Sequence, residues 1–308
     1  MTDLILPLVN EENTCLPLAV NVVAQYWNVQ IPMPENKAKM YPSGTGSVIM
    51  EGIELAEYHG LNVSVLKTDM VGLFSAIDSG IPPIVVLPGI GAITQHVSVL
   101  SGYDESTILH YIPDGTEEGM YEGAIPYGVF EEKWTQENHT AILIGPPDVV
   151  KQKGSESLRL CLEAERAMLS NNDDKIRSFL EQALSIDRNN ATAWLFLADL
   201  QNKRGSDECV DSYAECIKLN KQYFLAHNGL GNYYLKKDDI TKSEYSYTRA
   251  IQIDPKRSGS VYKNRAYLRN KREAYGPAAD DLEQYVKLSP HASDRGAMQR
   301  AILELRNM

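Results

Sequence analysis

Apolar residues recur at helical spacing near the start of the chain, between Pro17 and Trp27. The buried stripe of this predicted helix consists of Leu18, Ala19, Val22, Val23, Tyr26 and Trp27. Pro17 suits the first turn of a helix, where its missing N–H costs no hydrogen bond. Cys15 therefore lies at the predicted N-terminus, where the positive end of the helix favours a thiolate. Taken alone, an isolated cysteine beside an apolar helix is more typical of a core residue.

The remainder of the first half contains two more predicted helices and then several strands. Ser47 is predicted to cap a helix that runs to about Gly60, and Asp69 a helix that Gly80 ends. Apolar runs predict strands at 62–66, 84–87, 96–103, 107–112 and 140–144, with a short helix at 130–134. Helices followed by an antiparallel sheet predict an α+β domain.

The second half of the chain repeats itself. The segment 230–255 has an early Leu-Gly, small and aromatic residues midway, and a closing proline, which is the tetratricopeptide pattern. Segments 194–220 and 262–290 are in phase with it, and the closing prolines Pro255 and Pro290 are 35 residues apart (290 − 255). A weaker copy precedes these at 157–190, and 292–308 forms a closing helix. We therefore predict an all-α tetratricopeptide-repeat solenoid of about four helix pairs.

Charge divides the 308-residue chain at the same place. Residues 1–150 hold four lysines, no arginine and 19 acidic residues (4 − 19 = −15), whereas 151–308 hold 26 basic and 22 acidic residues (26 − 22 = +4). We predict a first domain at 1–148, a polar linker at 149–156 and repeats at 157–308. No strong basic footprint indicates nucleic-acid binding, and no apolar run reaches the roughly 20 residues of a membrane span. Without a visible signal peptide, we expect a cytoplasmic protein.

The four cysteines show neither paired nor zinc-binding spacing, so we expect no disulfide, no metal and no cofactor. Cysteine-dependent peptide cleavage needs a thiolate, an imidazole that moves the proton, a group that orients the imidazole, and oxyanion donors. Among six histidines, His96 opens a predicted strand after a Gly-rich loop. Asp114 follows the paired strand and could approach the ring of His96. His110 and His139 are interpreted as structural histidines.

A family resemblance joins these residues. Cys15 at a helix start, His-Val-x-Val-Leu-x-Gly-Tyr-Asp from His96 to Asp104, and Pro-Asp at Asp114 resemble papain-like cysteine peptidases of the bacteriocin-processing, double-glycine-leader type. Fusion of such a domain to tetratricopeptide repeats is the closest match in architecture. The resemblance implies that Cys15 is the nucleophile, His96 the general base and acid, and Asp114 the orienting residue.

Two positions depart from that family. Asn10 stands where the family has a glutamine that donates its amide to the oxyanion, and Leu16 stands where glycine is usual. Loss of one oxyanion donor typically slows turnover by about 10²–10³. Asn10 is therefore the predicted oxyanion donor, on a side chain one carbon shorter than that of the family.

Two functions follow from these features. The first is a thiol peptidase whose repeats bind a protein partner or substrate, with hydrolysis and transacylation both open. The alternative is an inactive peptidase-like domain in a tetratricopeptide adaptor. The predicted groove residues, which would suit an acidic or carboxylate-terminated segment or else form an ordinary solvated face, are Asn228, Asn232, Lys236, Asn264 and Arg265.

Overall fold

The computed structural model describes residues 2–7, 15–32, 48–89, 95–111, 122–151 and 154–308. These form two compact units, of which the first ends at Phe196 and the second begins at Leu197. The architecture is mixed, with an antiparallel sheet and many helices. Compact packing does not show which segment folds by itself. The predicted domain boundary at 149–156 therefore stays a prediction.

The first unit contains a seven-stranded sheet with the order β2-β7-β3-β4-β5-β6, and β1 pairs with β4. Every described pairing between these strands is antiparallel. The strands are β1 (Thr2–Asp3), β2 (Asn62–Lys67), β3 (Ile84–Pro88), β4 (Gln95–Tyr103), β5 (Thr107–Tyr111), β6 (Glu122–Pro126) and β7 (Thr140–Gly145). All five residues of β3 are buried, which confirms the prediction of a central strand from its continuous apolar run.

Helices cover the sheet of the first unit. They are α1 (Cys15–Tyr26), α2 (Ile49–Tyr58), α3 (Met70–Asp78), α4 (Tyr127–Thr135), α5 (Glu156–Leu169) and α6 (Asp173–Ile186). Neighbouring strand residues point to opposite faces, so Val86 packs with α1 and α2 while Val85 packs with α3 and α4. The two faces therefore hold separate apolar clusters, and α1 and α4 lie against different ones.

Local signals explain several helix ends. The Asp69 side chain accepts a hydrogen bond from the N–H of Gly72 at 2.9 Å, and Gly80 follows α3 with a φ of 74°, as predicted. The helix predicted to begin after Ser47 instead has Val48 at its N-cap, with no side-chain capping bond. Ser47 itself lies outside the described residues. The sequence analysis did not predict β1 or β6, because β1 is two residues long and β6 carries Gly123 and Pro126.

The region 191–308 is helical. Its helices are α7 (Ala191–Lys203), α8 (Cys209–Leu219), α9 (Phe224–Lys236), α10 (Ile240–Ile253), α11 (Gly259–Lys271), α12 (Tyr275–Leu288) and α13 (Arg295–Arg306). Gly231 of the Leu-Gly signature explains one close contact, because a Cβ there would lie 2.5 Å from the Tyr247 ring of α10. Glycine at this position therefore lets the paired helices α9 and α10 approach.

The described ends of the predicted linker are attached to the sheet. Gly154 forms a parallel bridge with Val65 of β2, and the N–H of Ser155 donates to the carbonyl of Val65 at 2.6 Å. Ser155 also caps α5 by accepting from the N–H of Leu158 at 3.2 Å. Leu162 on the next turn joins Leu158 in the apolar cluster that α1 and α2 form. Helix α5 is thus packed as part of the first unit.

Candidate active site

Cys15 is the first residue of α1 and is only partly buried. The first N–H groups of a helix have no partner within it, so the thiol stands at a positively polarised end. Leu16 is 3% exposed and packs into the core below α1. Its side chain is not among those that line the cleft around Cys15. The β-carbon of Leu16 is thus directed into the core.

His96 is the second residue of β4 and pairs with Leu87 of β3. It lines the same small cleft as Cys15. The other residues of that cleft are Leu18, Ala19, Val97, Ser98, Val99 and Tyr111. Helix α1 therefore contributes the thiol and β4 the imidazole, and the fold brings these two predicted residues together. The remaining lining is mainly apolar.

The cleft disfavours positive charge on its histidine. Burial lowers the pKa of His96 below its ordinary value. The nearby imidazole of His110 has its pKa lowered mainly by burial and secondly by the charge of His96. His110 Nδ1 lies 3.1 Å from the hydroxyl of Ser98, which also lines the cleft. At neutral pH both rings are consequently neutral, which suits His96 to accept a proton.

Two predicted members of the site, Asn10 and Asp114, lie outside the described residues. Their roles as oxyanion donor and orienting residue stay predictions. His139, interpreted as structural, places Nε2 2.9 Å from Glu131 and 3.0 Å from the hydroxyl of Thr135. These contacts are typical of a histidine that holds a turn.

The other three cysteines are buried and form no disulfide. Burial raises the pKa of Cys161 to about 12 and that of Cys209 to about 11, and it also raises the pKa of Cys216. Thiolates are the reactive form of cysteine, so these three thiols are chemically inert in the fold at neutral pH. Cys15 is accordingly the accessible thiol of the chain.

Four of the five predicted groove residues line a cavity or contact a residue that does. Asn232 and Lys236 line a cavity of about 440 Å³ with Asn202, whose Oδ1 accepts from Lys236 Nζ at 3.0 Å. Asn264 contacts Asn232 at 3.4 Å, and Asn228 lines a separate cavity of about 540 Å³. The structure thus gathers Asn232, Lys236 and Asn264 near one face.

Arg265 is placed differently. Its guanidinium donates to both carboxylate oxygens of Asp281, at 2.9 and 2.7 Å, and to Thr248 at 3.0 Å. The residue is 8% exposed. Its charge is therefore used inside the repeats rather than presented to a ligand.

Sequence reasoning missed the polar residues beside His96. Ser98 could have been found, because alternation along a strand puts it on the same side as His96. Gln95 donates to Glu137 at 2.5 Å, and these residues are 42 positions apart, so no local signal pointed to the pair. In the described part of the chain no three His, Cys, Asp or Glu side chains are grouped to hold a metal. No helix within the described ranges is long and apolar enough to cross a membrane.

No family model matches the chain, and no curated protein matches it. Solved structures similar to its parts include a double glycine motif protease from an AMS/PCAT transporter, in complex with the leader peptide. That match has 16% identity and a TM-score of 0.38 and covers 47% of this chain and 94% of that one. The peptidase domain of Streptococcus ComA, a bifunctional ABC transporter of a quorum-sensing pathway, has 20% identity and a TM-score of 0.39, with coverage of 47% and 99%. The MamA protein has 14% identity and a TM-score of 0.42, with coverage of 49% and 92%. Identities and TM-scores this low say nothing about what this chain does.

Proposed function

We propose that the chain is a thiol-dependent peptidase that cleaves a peptide bond through an acyl-enzyme. The observation that supports this most is that Cys15 and His96 line one cleft, the first at a helix N-terminus and the second on a strand. A nucleophile and a base that share one cleft are the minimum for covalent catalysis.

The proposed chemistry has two stages. His96 takes the proton of Cys15, and the sulfur attacks the substrate carbonyl to form a tetrahedral intermediate. Its collapse breaks the C–N bond, and His96 returns the proton to the leaving amine. Water then attacks the thioester while His96 accepts its proton, which releases the acid and restores the thiol. The lowered pKa of His96 favours the neutral ring that the first step needs.

The remaining parts of the site belong to the same proposal. The backbone N–H of Cys15, at the start of α1, would donate to the oxyanion together with the side-chain amide of Asn10. Asp114 would orient the His96 ring. The cavity lined by Asn202, Asn232 and Lys236 would hold a segment of a protein partner or substrate.

Alkylation of the native protein tests the proposal. We expect iodoacetamide to label Cys15 well below about pH 8, and we expect His96→Ala to abolish that labelling. The three buried cysteines do not interfere, and His291→Ala, which changes an exposed histidine of the repeats, is the control. Equal labelling of the wild type and His96→Ala, with the profile of an ordinary thiol, would remove the chemical basis of the proposed catalysis.

A further inference from the structure

A buried polar turn joins α4 to β7. Gln136, Glu137 and Asn138 are each 2% exposed or less. Asn138 and the following His139 have φ values of 58° and 54°, which are uncommon for residues with a side chain. Such a conformation persists only where the surroundings over-determine it, and it is frequent at functional sites. The turn is held because Asn138 Nδ2 donates to Thr192 Oγ1 at 3.3 Å, in addition to the contacts of His139.

Glu137 in this turn reaches the strand that bears His96. Its Oε2 accepts a hydrogen bond from Gln95 Nε2 at 2.5 Å. Gln95 is the first residue of β4 and directly precedes His96. A short hydrogen bond to a buried carboxylate is among the stronger ones in proteins.

The described ladder between β3 and β4 ends at Gln95, one residue before His96. The N–H of Leu100 donates to the carbonyl of Pro83, so hydrogen-bonded and non-hydrogen-bonded pairs alternate from that point. His96 with Leu87 is consequently the last hydrogen-bonded pair with β3 in the described range, and Gln95 falls in a non-hydrogen-bonded pair. The described pairs with β5 begin only at Leu100. Among the described contacts, the side-chain bond of Gln95 thus tethers this end in addition to the backbone bonds of the His96–Leu87 pair.

The charge of Glu137 acts on one carboxyl of helix α5. Glu165 of α5 has its pKa raised to about 7, mainly by burial and secondly by the charge of Glu137. On the same helix, the charge of Glu165 is one of the causes that raise the pKa of Cys161. Helix α5 is anchored nearby, because Arg166 contacts Glu54 at 2.7 Å, in addition to the burial of its apolar face.

We propose that Glu137 is a positioning residue for His96. The Glu137 carboxylate fixes Gln95, and Gln95 fixes the backbone from which the His96 ring extends toward the cleft. This proposal rests on the proposed function, since His96 matters here as the general base.

The test is the NMR titration of the His96 ring in the full chain, combined with the rate of Cys15 alkylation. Gln95→Ala and Glu137→Ala remove the tether, whereas Glu137→Gln keeps an oxygen that can accept from Gln95. Asn62→Ala is the matched control, because it removes one side-chain amide bond of 2.9 Å, to Val150, from β2, which is an edge strand of the sheet.

We expect both alanine variants to change the His96 titration and to slow alkylation at neutral pH by about 10- to 100-fold. Glu137→Gln should stay close to the wild type, and Asn62→Ala should match it. A purely structural role would lower the urea midpoint while leaving the titration unchanged, and that result would overturn the proposal. If Glu137→Ala does not fold, Gln95→Ala alone decides. The His96 titration does not depend on catalysis. It therefore tests the positioning role even if alkylation of Cys15 is independent of His96 and the proposed function fails.

Discussion

Replacing Glu165 by glutamine should stabilise the first unit at alkaline pH and have little effect at acidic pH. The fold raises the pKa of Glu165 from an ordinary 4.5 to about 7, because burial and the charge of Glu137 disfavour its ionised form. A carboxyl of this kind contributes stability while it is protonated. That contribution is complete below about pH 4.5 and is lost as the pH rises through about 7. Glutamine stays neutral at every pH, so the variant keeps the stability that the wild type loses when Glu165 ionises.

The difference between about 7 and 4.5 corresponds to roughly 3 kcal/mol, at about 1.4 kcal/mol per pH unit. Glu165 is partly exposed, so solvent screening reduces this, and we expect a gain of about 1–2 kcal/mol at about pH 8.5. Urea unfolding followed by tryptophan fluorescence is the assay. It reports mainly on the first unit, because Trp27 and Trp134 lie within it, whereas Trp194 lies on α7, which crosses the boundary at Leu197.

Glu163→Gln is the matched control for this experiment. Glu163 lies on the same helix, but its carboxylate is paired with Arg166 at 2.6 Å. Its replacement should give no gain at either pH. If Glu165→Gln changes the free energy of unfolding equally at about pH 5 and about pH 8.5, the assignment of a buried, uncompensated carboxyl is refuted.

Three further predictions follow from the described contacts. Gly154→Ala should destabilise the first unit by about 1–3 kcal/mol in urea unfolding, because a Cβ at its φ of 77° would lie 2.1 Å from the β2 backbone. The control Gly128→Ala should leave the free energy of unfolding unchanged, since a Cβ there has no neighbour within 4 Å. Native mass spectrometry after brief alkylation near neutral pH should find one modified thiol, at Cys15, and rapid labelling of the three buried cysteines would contradict their raised pKa values. Arg265→Ala should lower the stability of the helical region by about 1.5–3 kcal/mol in thermal unfolding followed by circular dichroism, since it removes the two-bond pair with the buried Asp281 and leaves that carboxylate with Arg269, at 3.0 Å. An unchanged midpoint would argue against that pair.

The repeats were the part most accessible from the sequence. Residues such as Gly231 and the closing Pro255 mark where each helix pair begins and ends. Each pair packs on its neighbour in the sequence. The strands with clear alternation or continuous apolar runs, such as β3 and β4, were also predictable. Strand β6 was not, because Gly123 and Pro126 are poor strand formers and their pairing with β5 decides the conformation.

The candidate site was predictable only for residues that stand in recognisable local patterns. Cys15 precedes an apolar helix and His96 opens an alternating strand, and the fold brings them to one cleft. The bond between Gln95 and Glu137 has no such signature, since it joins a strand to a distant turn. The role of Arg265 could not be predicted from the sequence either. A basic residue on a helix looks the same in the sequence whether it binds a ligand or a buried carboxylate.

Acyl transfer to Cys15 is the central claim, and an activated ester tests it without knowledge of the natural substrate. We predict that p-nitrophenyl acetate gives a burst of nitrophenolate stoichiometric with the protein, followed by slower turnover, with the acetyl group found on Cys15 by mass spectrometry. Both Cys15→Ala and His96→Ala should lose the burst. Release of nitrophenolate by the wild type at the same rate as by either variant would contradict the account.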